Sequence, residues 1–253
     1  MSGMIDWRDD QRFVLNGIQF RLSEWGGKGS SSPDKFLILK NRWMVERYLK
    51  ILDKLQPKRI FELGIKRGGS AVLLQEYCAA EKLVAIDICE ERQKPLDEYI
   101  HTNNLAGVLR PKYGIDQSDA QSLRSIVAEE FGAQLIDLVI DDASHLLEQT
   151  RASFDALFPY VRPGGVYVIE DWPWAHKKVD QSDLPDLNPG QQPLSKLVFE
   201  IIMACPSTYD YIEEIVVDRN SIAVWRGDAV INPDGFRVQN CILPEGLALI
   251  SKE

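Results

Sequence analysis

The amino-acid sequence predicts an α/β protein with a doubly wound, mostly parallel sheet, a C-terminal antiparallel hairpin and a small N-terminal extension. From residue 59 onward, short apolar runs alternate with segments of helical periodicity, which is typical of βα units that build a parallel sheet. In the stretch from residue 135 to 172, two apolar runs flank a helical segment, and each run ends in acidic residues. Two further β-rich runs, residues 211–217 and 222–225, are joined by Asp218-Arg219-Asn220 and predict the terminal hairpin.

Composition limits the classes of function. The 253 residues carry a formal net charge of −9, with 45% hydrophobic residues, and suffice for one sizeable domain with additions. The negative charge argues against nucleic acid or an anionic membrane as the main partner, and no apolar run approaches membrane-spanning length. The start of the chain lacks the apolar core of a secretory signal, and the four cysteines are scattered, so we expect a reduced, cytoplasmic protein.

The first 57 residues are predicted to form an extension to the main domain, which we expect to comprise residues 58–253. Residues 13–22 alternate around Asn16-Gly17, the strongest short signal for a β-hairpin. Residues 23–35 are rich in glycine and serine and are interpreted as a loop, with a plain linker favoured over a flap. Residues 36–55 have a helical pattern that ends before Pro57.

The part of the chain from residue 59 onward contains five predicted strands and five predicted helices before the terminal hairpin. Strands are predicted at residues 59–63, 83–88, 108–114, 135–140 and 166–169, and helices at residues 71–80, 95–104, 118–131, 146–160 and 194–203. The sequence Pro163-Gly164-Gly165 is predicted as a turn. Residues 172–193 form a long polar, proline-punctuated connection, and we interpret it, like the 23–35 loop, as a candidate lid. With the terminal hairpin, the five strands give a sheet of seven.

The first candidate site is a glycine-rich turn after the first of these strands. Glu62 lies in the strand, and Gly64 and Gly68-Gly69 follow before a helix. Glycines allow close approach of a ligand to the backbone, and a helix N-terminus offers N–H groups; a tight turn without a ligand is the alternative. Lys66 occupies the middle position of a dinucleotide fingerprint, which disfavours a nicotinamide-dependent oxidoreductase.

Asp87 ends the next strand, about 25 residues further on. This position suits a carboxylate that accepts hydrogen bonds from a ribose diol. A helix cap or a solvated strand end is the alternative reading. No Gly-Lys-Ser/Thr closes the glycine turn, so a ligand with its phosphate at this turn is not expected.

The second candidate site is a group of acidic residues. The crossover rule makes the strands at 135–140 and 166–169 parallel, so both end at the same edge of the sheet. Asp142, Glu170 and Asp171 would then converge there as hard oxygen ligands for Mg²⁺ or another oxygen-preferring divalent cation; helix capping is the alternative role. His145 lies three residues after Asp142 and is the best candidate base, although a polar helix-start residue is the commoner role of such a histidine.

The motifs Glu62-x-Gly64-x-x-x-Gly68-Gly69, Asp87 and Gly114-Ile115-Asp116-Gln117 resemble those of class I S-adenosylmethionine-dependent methyltransferases. The resemblance covers roughly residues 59–226 and implies a seven-stranded, Rossmann-like methyltransferase fold. It implies that the glycine turn, with Gly64, Gly68 and Ser70, holds the methionine part and that Asp87 holds the ribose. The adenine would be held by Asp116 or Gln117. Glu62 and Asp141 complete the predicted cofactor-binding set, while Lys66 and Arg67 depart from the small residues common in this turn.

A second motif narrows the resemblance to two smaller families; it is Asp142-x-x-His145 followed by Glu170-Asp171. It is similar to the cation-dependent O-methyltransferases that modify macrolide sugars and other natural products, and to the cephalosporin hydroxylase-like family. The resemblance implies that the acids bind Mg²⁺ and that His145 deprotonates a hydroxyl of a small-molecule acceptor. The alternatives are an S-adenosylmethionine-binding protein without methyl transfer and a metal-dependent hydrolase. We expect neither a nucleic-acid nor a membrane partner, and a homo-oligomer is left open.

Overall fold

The structure is a computed structural model, and it describes residues 5–23, 29–176 and 192–243. The chain divides into two compact units. The first comprises Met1–Asp116 and Glu130–Asp137, and the second comprises Gln117–Glu129 and Leu138–Glu253. The boundary predicted from sequence motifs, between an extension ending at residue 57 and a main domain starting at residue 58, stays a prediction.

The N-terminal part of the first unit is a four-stranded sheet. Its strands are β1 (Asp6–Asp9), β2 (Arg12–Leu15), β3 (Ile18–Leu22) and β4 (Lys35–Ile38), in the order β1-β2-β3-β4. The hairpin predicted around Asn16-Gly17 is present as β2 and β3, which pair antiparallel, and both turn residues have positive φ. One face of this sheet buries Phe13, Phe20 and Phe36, and the ring of Phe36 meets that of Tyr99 edge-on.

The helix predicted over residues 36–55 is wrong in its first part. Residues 35–38 are strand β4, paired parallel with β3, and helix α1 covers only Arg42–Leu55. A short apolar run reads equally well as a strand or a helix, and here the long-range pairing with β3 decided between them. Asn41 marks the true start, because its side chain accepts a hydrogen bond from Met44 N (3.1 Å). Gln56 ends α1 in the left-handed conformation, with φ +48°.

The main sheet has seven strands and confirms the predicted fold class. Its order is β10-β11-β9-β8-β5-β6-β7; the five strands β7, β6, β5, β8 and β9 are parallel, and β10 and β11 add antiparallel strands at one side. The strands are β5 (Arg59–Leu63), β6 (Lys82–Asp87), β7 (Leu109–Tyr113), β8 (Ile136–Asp141), β9 (Val161–Glu170), β10 (Ile212–Val217) and β11 (Ser221–Arg226). The helices are α2 (Gly69–Cys78), α3 (Lys94–Thr102), α4 (Ala120–Phe131), α5 (Leu147–Leu157) and α6 (Ser195–Thr208).

The turn predicted at Pro163-Gly164-Gly165 is wrong, because these residues lie inside β9. Gly164 has φ +66°, which a glycine adopts without a side-chain clash. Glycine in a strand commonly accompanies such a local departure from regular geometry. The strand thus begins at Val161, five residues before the predicted start.

Residues 24–28 of the first candidate lid and 177–191 of the second lie outside the described residues. The four cysteines form no disulfide in the described structure. None of the helices in the described part of the chain has the length and apolar character needed to cross a membrane.

Candidate functional site

The glycine turn, residues 64–70 of the first unit, has an unusual backbone. Gly64 (φ +103°), Lys66 (φ +48°) and Gly68 (φ +75°) all have positive φ. Gly64 N donates to Ile86 O at 2.9 Å, and Gly68 N donates to Ile65 O at 2.7 Å. Lys66 is exposed, and its left-handed backbone is uncommon for a residue with a side chain. Glu62 is buried in β5 just before the turn, and Ser70 lies in the first turn of α2.

Asp87 holds this turn through its carboxylate. One oxygen, Oδ2, accepts hydrogen bonds from Ile65 N (3.0 Å) and Lys66 N (2.9 Å), and the other, Oδ1, accepts one from Cys89 N (2.9 Å). A carboxylate oxygen can accept more than one hydrogen bond. Asp87 therefore fixes the shape of the glycine turn in addition to the ribose contact that the sequence predicts.

Gly69 has a structural role that the sequence did not reveal. A Cβ atom at this position would lie 2.2 Å from the carbonyl oxygen of Leu37 and 2.9 Å from Cγ1 of Ile38, both in strand β4. Ser31 adds a second connection, because its hydroxyl donates to Arg67 O (2.9 Å) and accepts from Leu37 N (3.2 Å). The N-terminal extension therefore packs directly on the glycine turn, and Gly69 is required for that contact.

Asp116 and Gln117 differ in where their side chains lie. Asp116 is exposed, and its loop is held by Ile115 N, which donates to Asp87 O at 2.9 Å. Gln117 is 5% exposed, and its amide is engaged inside the second unit: Nε2 donates to Asp141, and Oε1 accepts from Ser144 N at 2.8 Å.

The acid–histidine cluster consists of Asp142, His145 and Asp171 in the second unit. One potential ligand atom from each lies within 4.8 Å of the others. His145 Nε2 is 3.7 Å from Asp142 Oδ1 and 4.0 Å from Asp171 Oδ2, and all three side chains are half-buried. Two of the three predicted metal ligands thus lie beside the predicted base. Glu170, the third, is the last residue of β9 and is buried.

Two members of the cluster have strained backbones. His145 has φ +57° and Asp171 has φ +50°, and a left-handed conformation costs about 1–3 kcal/mol in a residue other than glycine. Such strain concentrates at functional sites, where the surrounding structure maintains it. Helix α5 begins after Leu146 and has no side-chain cap, so neither Asp141 nor Asp142 caps it. Among the described residues, Nδ1 of His145 is buried without a hydrogen-bond partner.

Asp141, next to Asp142, is the centre of a buried hydrogen-bond network. Its carboxylate accepts from Gln117 Nε2 (3.1 Å), from the Ser153 hydroxyl and from the Tyr167 hydroxyl (3.0 Å). Burial raises the pKa of Asp141 to about 6, although the hydrogen bonds from Ser153 and Tyr167 oppose that rise. The carboxylate of Asp141 is therefore occupied by protein donors.

The tryptophans after Asp171 have different surroundings. Trp172 Nε1 donates to Asp218 O at 2.9 Å, which fixes this residue against the β10–β11 turn. The ring of Trp174 lies 6.3 Å from the His145 ring, centroid to centroid. Trp172 is thus a packing residue, whereas Trp174 borders the acid–histidine cluster.

Comparison with known proteins agrees with this geometry. Residues 61–172 match the family model described as a methyltransferase domain. The chain is 36% identical over 130 residues to mycinamicin VI 2''-O-methyltransferase of Micromonospora griseorubida, a match that covers 47% of this chain and 29% of that protein. It is 52% identical over 127 residues to demethylmacrocin O-methyltransferase of Streptomyces fradiae, covering 46% of this chain and 29% of that protein.

A solved structure is also similar. It is the MycE methyltransferase of the mycinamycin biosynthetic pathway in complex with Mg, SAH and mycinamycin VI, with a TM-score of 0.55 and 28% identity. The likeness covers 74% of this chain and 50% of that one. The resemblance expected from the sequence is confirmed: this chain resembles class I S-adenosylmethionine-dependent methyltransferases, and among them the natural-product O-methyltransferases. The matched stretches cover less than a third of the curated relatives.

Sequence reasoning missed the residues that support the site. Ser31 and Leu37 lie in the N-terminal extension, and no motif links them to the glycine turn. Ser144 and Ser153 carry no pattern that distinguishes them from surface serines. Only the position of Ser153 in a mostly buried helix face, one residue before Phe154, hints at an internal role.

Proposed function

We propose that this protein is an S-adenosylmethionine- and Mg²⁺-dependent O-methyltransferase that acts on a hydroxyl of a small molecule, a natural product or its sugar. The observation that carries the proposal is the acid–histidine cluster in a chain with methyltransferase-like sequence and fold. A methyltransferase that relied on positioning alone would not need two carboxylates and an imidazole together.

The cluster fits a divalent cation by the chemistry of its donors. Asp142 and Asp171 bring carboxylate oxygens from the ends of β8 and β9, the donor type that Mg²⁺ prefers. Glu170 is proposed as a further ligand, on the sequence motif. When bound, the cation supplies a positive charge that orients two neighbouring acceptor oxygens and lowers the pKa of one hydroxyl.

His145 is proposed as the general base. Its Nε2 faces the two carboxylates, so an acceptor hydroxyl held beside Asp142 and Asp171 lies within reach of the ring. His145 takes the hydroxyl proton as the acceptor oxygen attacks the methyl group of S-adenosylmethionine in line with the departing sulfur. His145 has its left-handed backbone just before helix α5 begins.

The donor is proposed to bind along the glycine turn. Its methionine part would contact Gly64, Gly68 and Ser70, with Glu62 in the strand that precedes them. Its ribose hydroxyls would donate hydrogen bonds to Asp87. For the adenine, exposed Asp116 is the better candidate than buried Gln117. Asp141 would act on the donor only indirectly, because its carboxylate is bonded to Gln117, Ser153 and Tyr167.

The test has two stages. Calorimetry with S-adenosylhomocysteine, NAD and Mg²⁺ in turn should show binding of S-adenosylhomocysteine and not of NAD, and Asp87→Ala should remove most of that binding. Transfer from labelled S-adenosylmethionine should then be assayed on macrolides whose sugars carry free hydroxyls. Donor binding with no transfer to any hydroxylated acceptor would favour the non-catalytic binding protein, and hydrolysis of an ester would favour the metal-dependent hydrolase.

Further features belong to the same proposal. We expect residues 58–253 to form the catalytic domain, with residues 1–57 as an extension that supports its glycine turn. A cytoplasmic location is also an expectation, and the oligomeric state is left open. Fractionation and light scattering would measure them.

A further inference from the structure

One buried side chain, that of Gln117, is bonded to two residues that flank Asp142 of the acid–histidine cluster. Its Nε2 donates to Asp141 Oδ1 at 3.1 Å, immediately before Asp142. Its Oε1 accepts from Ser144 N at 2.8 Å, immediately before His145. The same Nε2 lies 3.3 Å from the Ser153 hydroxyl, so the amide is enclosed by polar partners.

The orientation of this amide follows from chemistry. A carboxylate only accepts hydrogen bonds and a backbone N–H only donates, so the NH₂ group must face Asp141 and the oxygen must face Ser144. Among natural side chains of this length, only glutamine supplies a neutral donor and an acceptor to those two partners. Glutamate would place a second carboxylate against Asp141, and methionine has the length without either hydrogen bond.

The loop that Gln117 holds forms neither helix nor strand. Residues 142–146 lie between strand β8 and helix α5. Ser144 continues the connection, because its hydroxyl accepts from Leu146 N at 3.2 Å. Within this loop His145 keeps φ +57°, and a strained residue persists only where its surroundings over-determine it. The Gln117 amide provides that constraint before His145, at Asp141 and Ser144, and the bond from Leu146 N to the Ser144 hydroxyl provides it after His145.

We propose that Gln117 is a positioning residue: it fastens the loop between Asp142 and His145 and so sets the distance between the carboxylates and the imidazole. In this role it does not contact the adenine of the donor. The inference rests on the proposed function for its catalytic consequence, but the fastening itself can be measured without any ligand.

The first experiment follows hydrogen exchange at single-residue resolution in the ligand-free protein. In the wild type, the Ser144 amide should exchange at least about 100-fold more slowly than in an unstructured chain, because it is bonded to a buried acceptor. Gln117→Met should restore fast exchange at residues 142–146, with α4 and β8 still protected. Gln121→Met, the same change at an exposed position of α4, is the control. Free exchange of Ser144 in the wild type would overturn the proposal even if Gln117→Met failed to fold.

The second experiment separates positioning from adenine binding. Gln117→Met should weaken the binding of Mn²⁺, used as a paramagnetic probe and followed by electron paramagnetic resonance, and should lower kcat. Changing residues that orient metal ligands typically costs 10–100-fold in either quantity, so we expect losses of about that size. The dissociation constant for S-adenosylhomocysteine should change by less than about threefold. A tenfold or greater loss of donor affinity, with exchange and Mn²⁺ binding unchanged, would instead identify Gln117 as the adenine contact.

Failure of the proposed function would give a different pattern. A wild-type protein that binds neither S-adenosylhomocysteine nor Mn²⁺ would contradict the methyltransferase proposal. The exchange experiment would still decide whether Gln117 fastens the loop, since it requires neither ligand.

Discussion

Replacing Gly69 by alanine should destabilise the protein through the N-terminal extension. The new Cβ would lie 2.2 Å from the carbonyl oxygen of Leu37 and 2.8 Å from its carbonyl carbon. Because those atoms belong to the backbone of strand β4, the clash with the new Cβ can be removed only if the strand or helix α2 moves by roughly 1 Å. Overpacking in a core costs about 1–3 kcal/mol and occasionally more. Leu37 and Ile38 are both buried, so we expect a loss of about 3 kcal/mol.

The loss can be measured by thermal and urea unfolding. With about 2–4 °C per kcal/mol for a chain of this size, Gly69→Ala should lower Tm by about 6–12 °C. Gly107→Ala is the matched control: a Cβ there meets nothing within 4 Å, and the loss of unfolded-chain entropy should stabilise the protein by about 0.4–1 kcal/mol. If Gly69 instead serves close approach of the donor, the alanine variant would unfold like the wild type and lose affinity for S-adenosylhomocysteine. That outcome would refute the packing role.

Three other outcomes are expected. His145→Ala should lose about 10²–10⁴-fold in kcat with unchanged donor affinity, whereas exposed His101→Ala should not; a loss below about tenfold would exclude His145 as the base. Dialysis against EDTA should abolish methyl transfer but leave S-adenosylhomocysteine bound, and Mg²⁺ should restore the rate; full activity after chelation would show the acids to be structural. Burial raises the pKa of Asp155 from 3.8 to about 6, so the folded state keeps this proton to higher pH than the unfolded state. Its contribution to the free energy of unfolding should therefore fall by up to about 3 kcal/mol between about pH 4 and pH 6. Asp155→Asn, which keeps an acceptor for Val238 N, should flatten that slope in urea titrations; exposed Asp228→Asn should not, and equal slopes in both variants would contradict the assignment.

Local pattern determined the alternation of strands and helices in this chain. The apolar runs of β5, β6, β8, β9 and β11 became strands whose side chains are mostly buried. The acids that follow β8 and β9 appear in the sequence as interruptions of those runs. The Asn16-Gly17 turn needed no tertiary information, since the two positive φ angles of such a hairpin turn are a property of those residues themselves. Asp87, Asp142, His145 and Asp171 could be singled out for the same reason: polar residues stand out at strand ends.

Tertiary structure decided the rest, because the relevant contacts join residues far apart in sequence. Residues 35–38 became a strand only through pairing with β3. Gly69 faces the backbone of Leu37, although its place in a glycine turn suggested a role towards a ligand. Gln117 follows a candidate adenine-binding acid, yet its amide is held by Asp141 and Ser144, more than 20 residues away. Sequence spacing shows which residues can carry chemistry; which of them face a ligand and which hold the others in place depends on long-range hydrogen bonds and packing that no local pattern encodes.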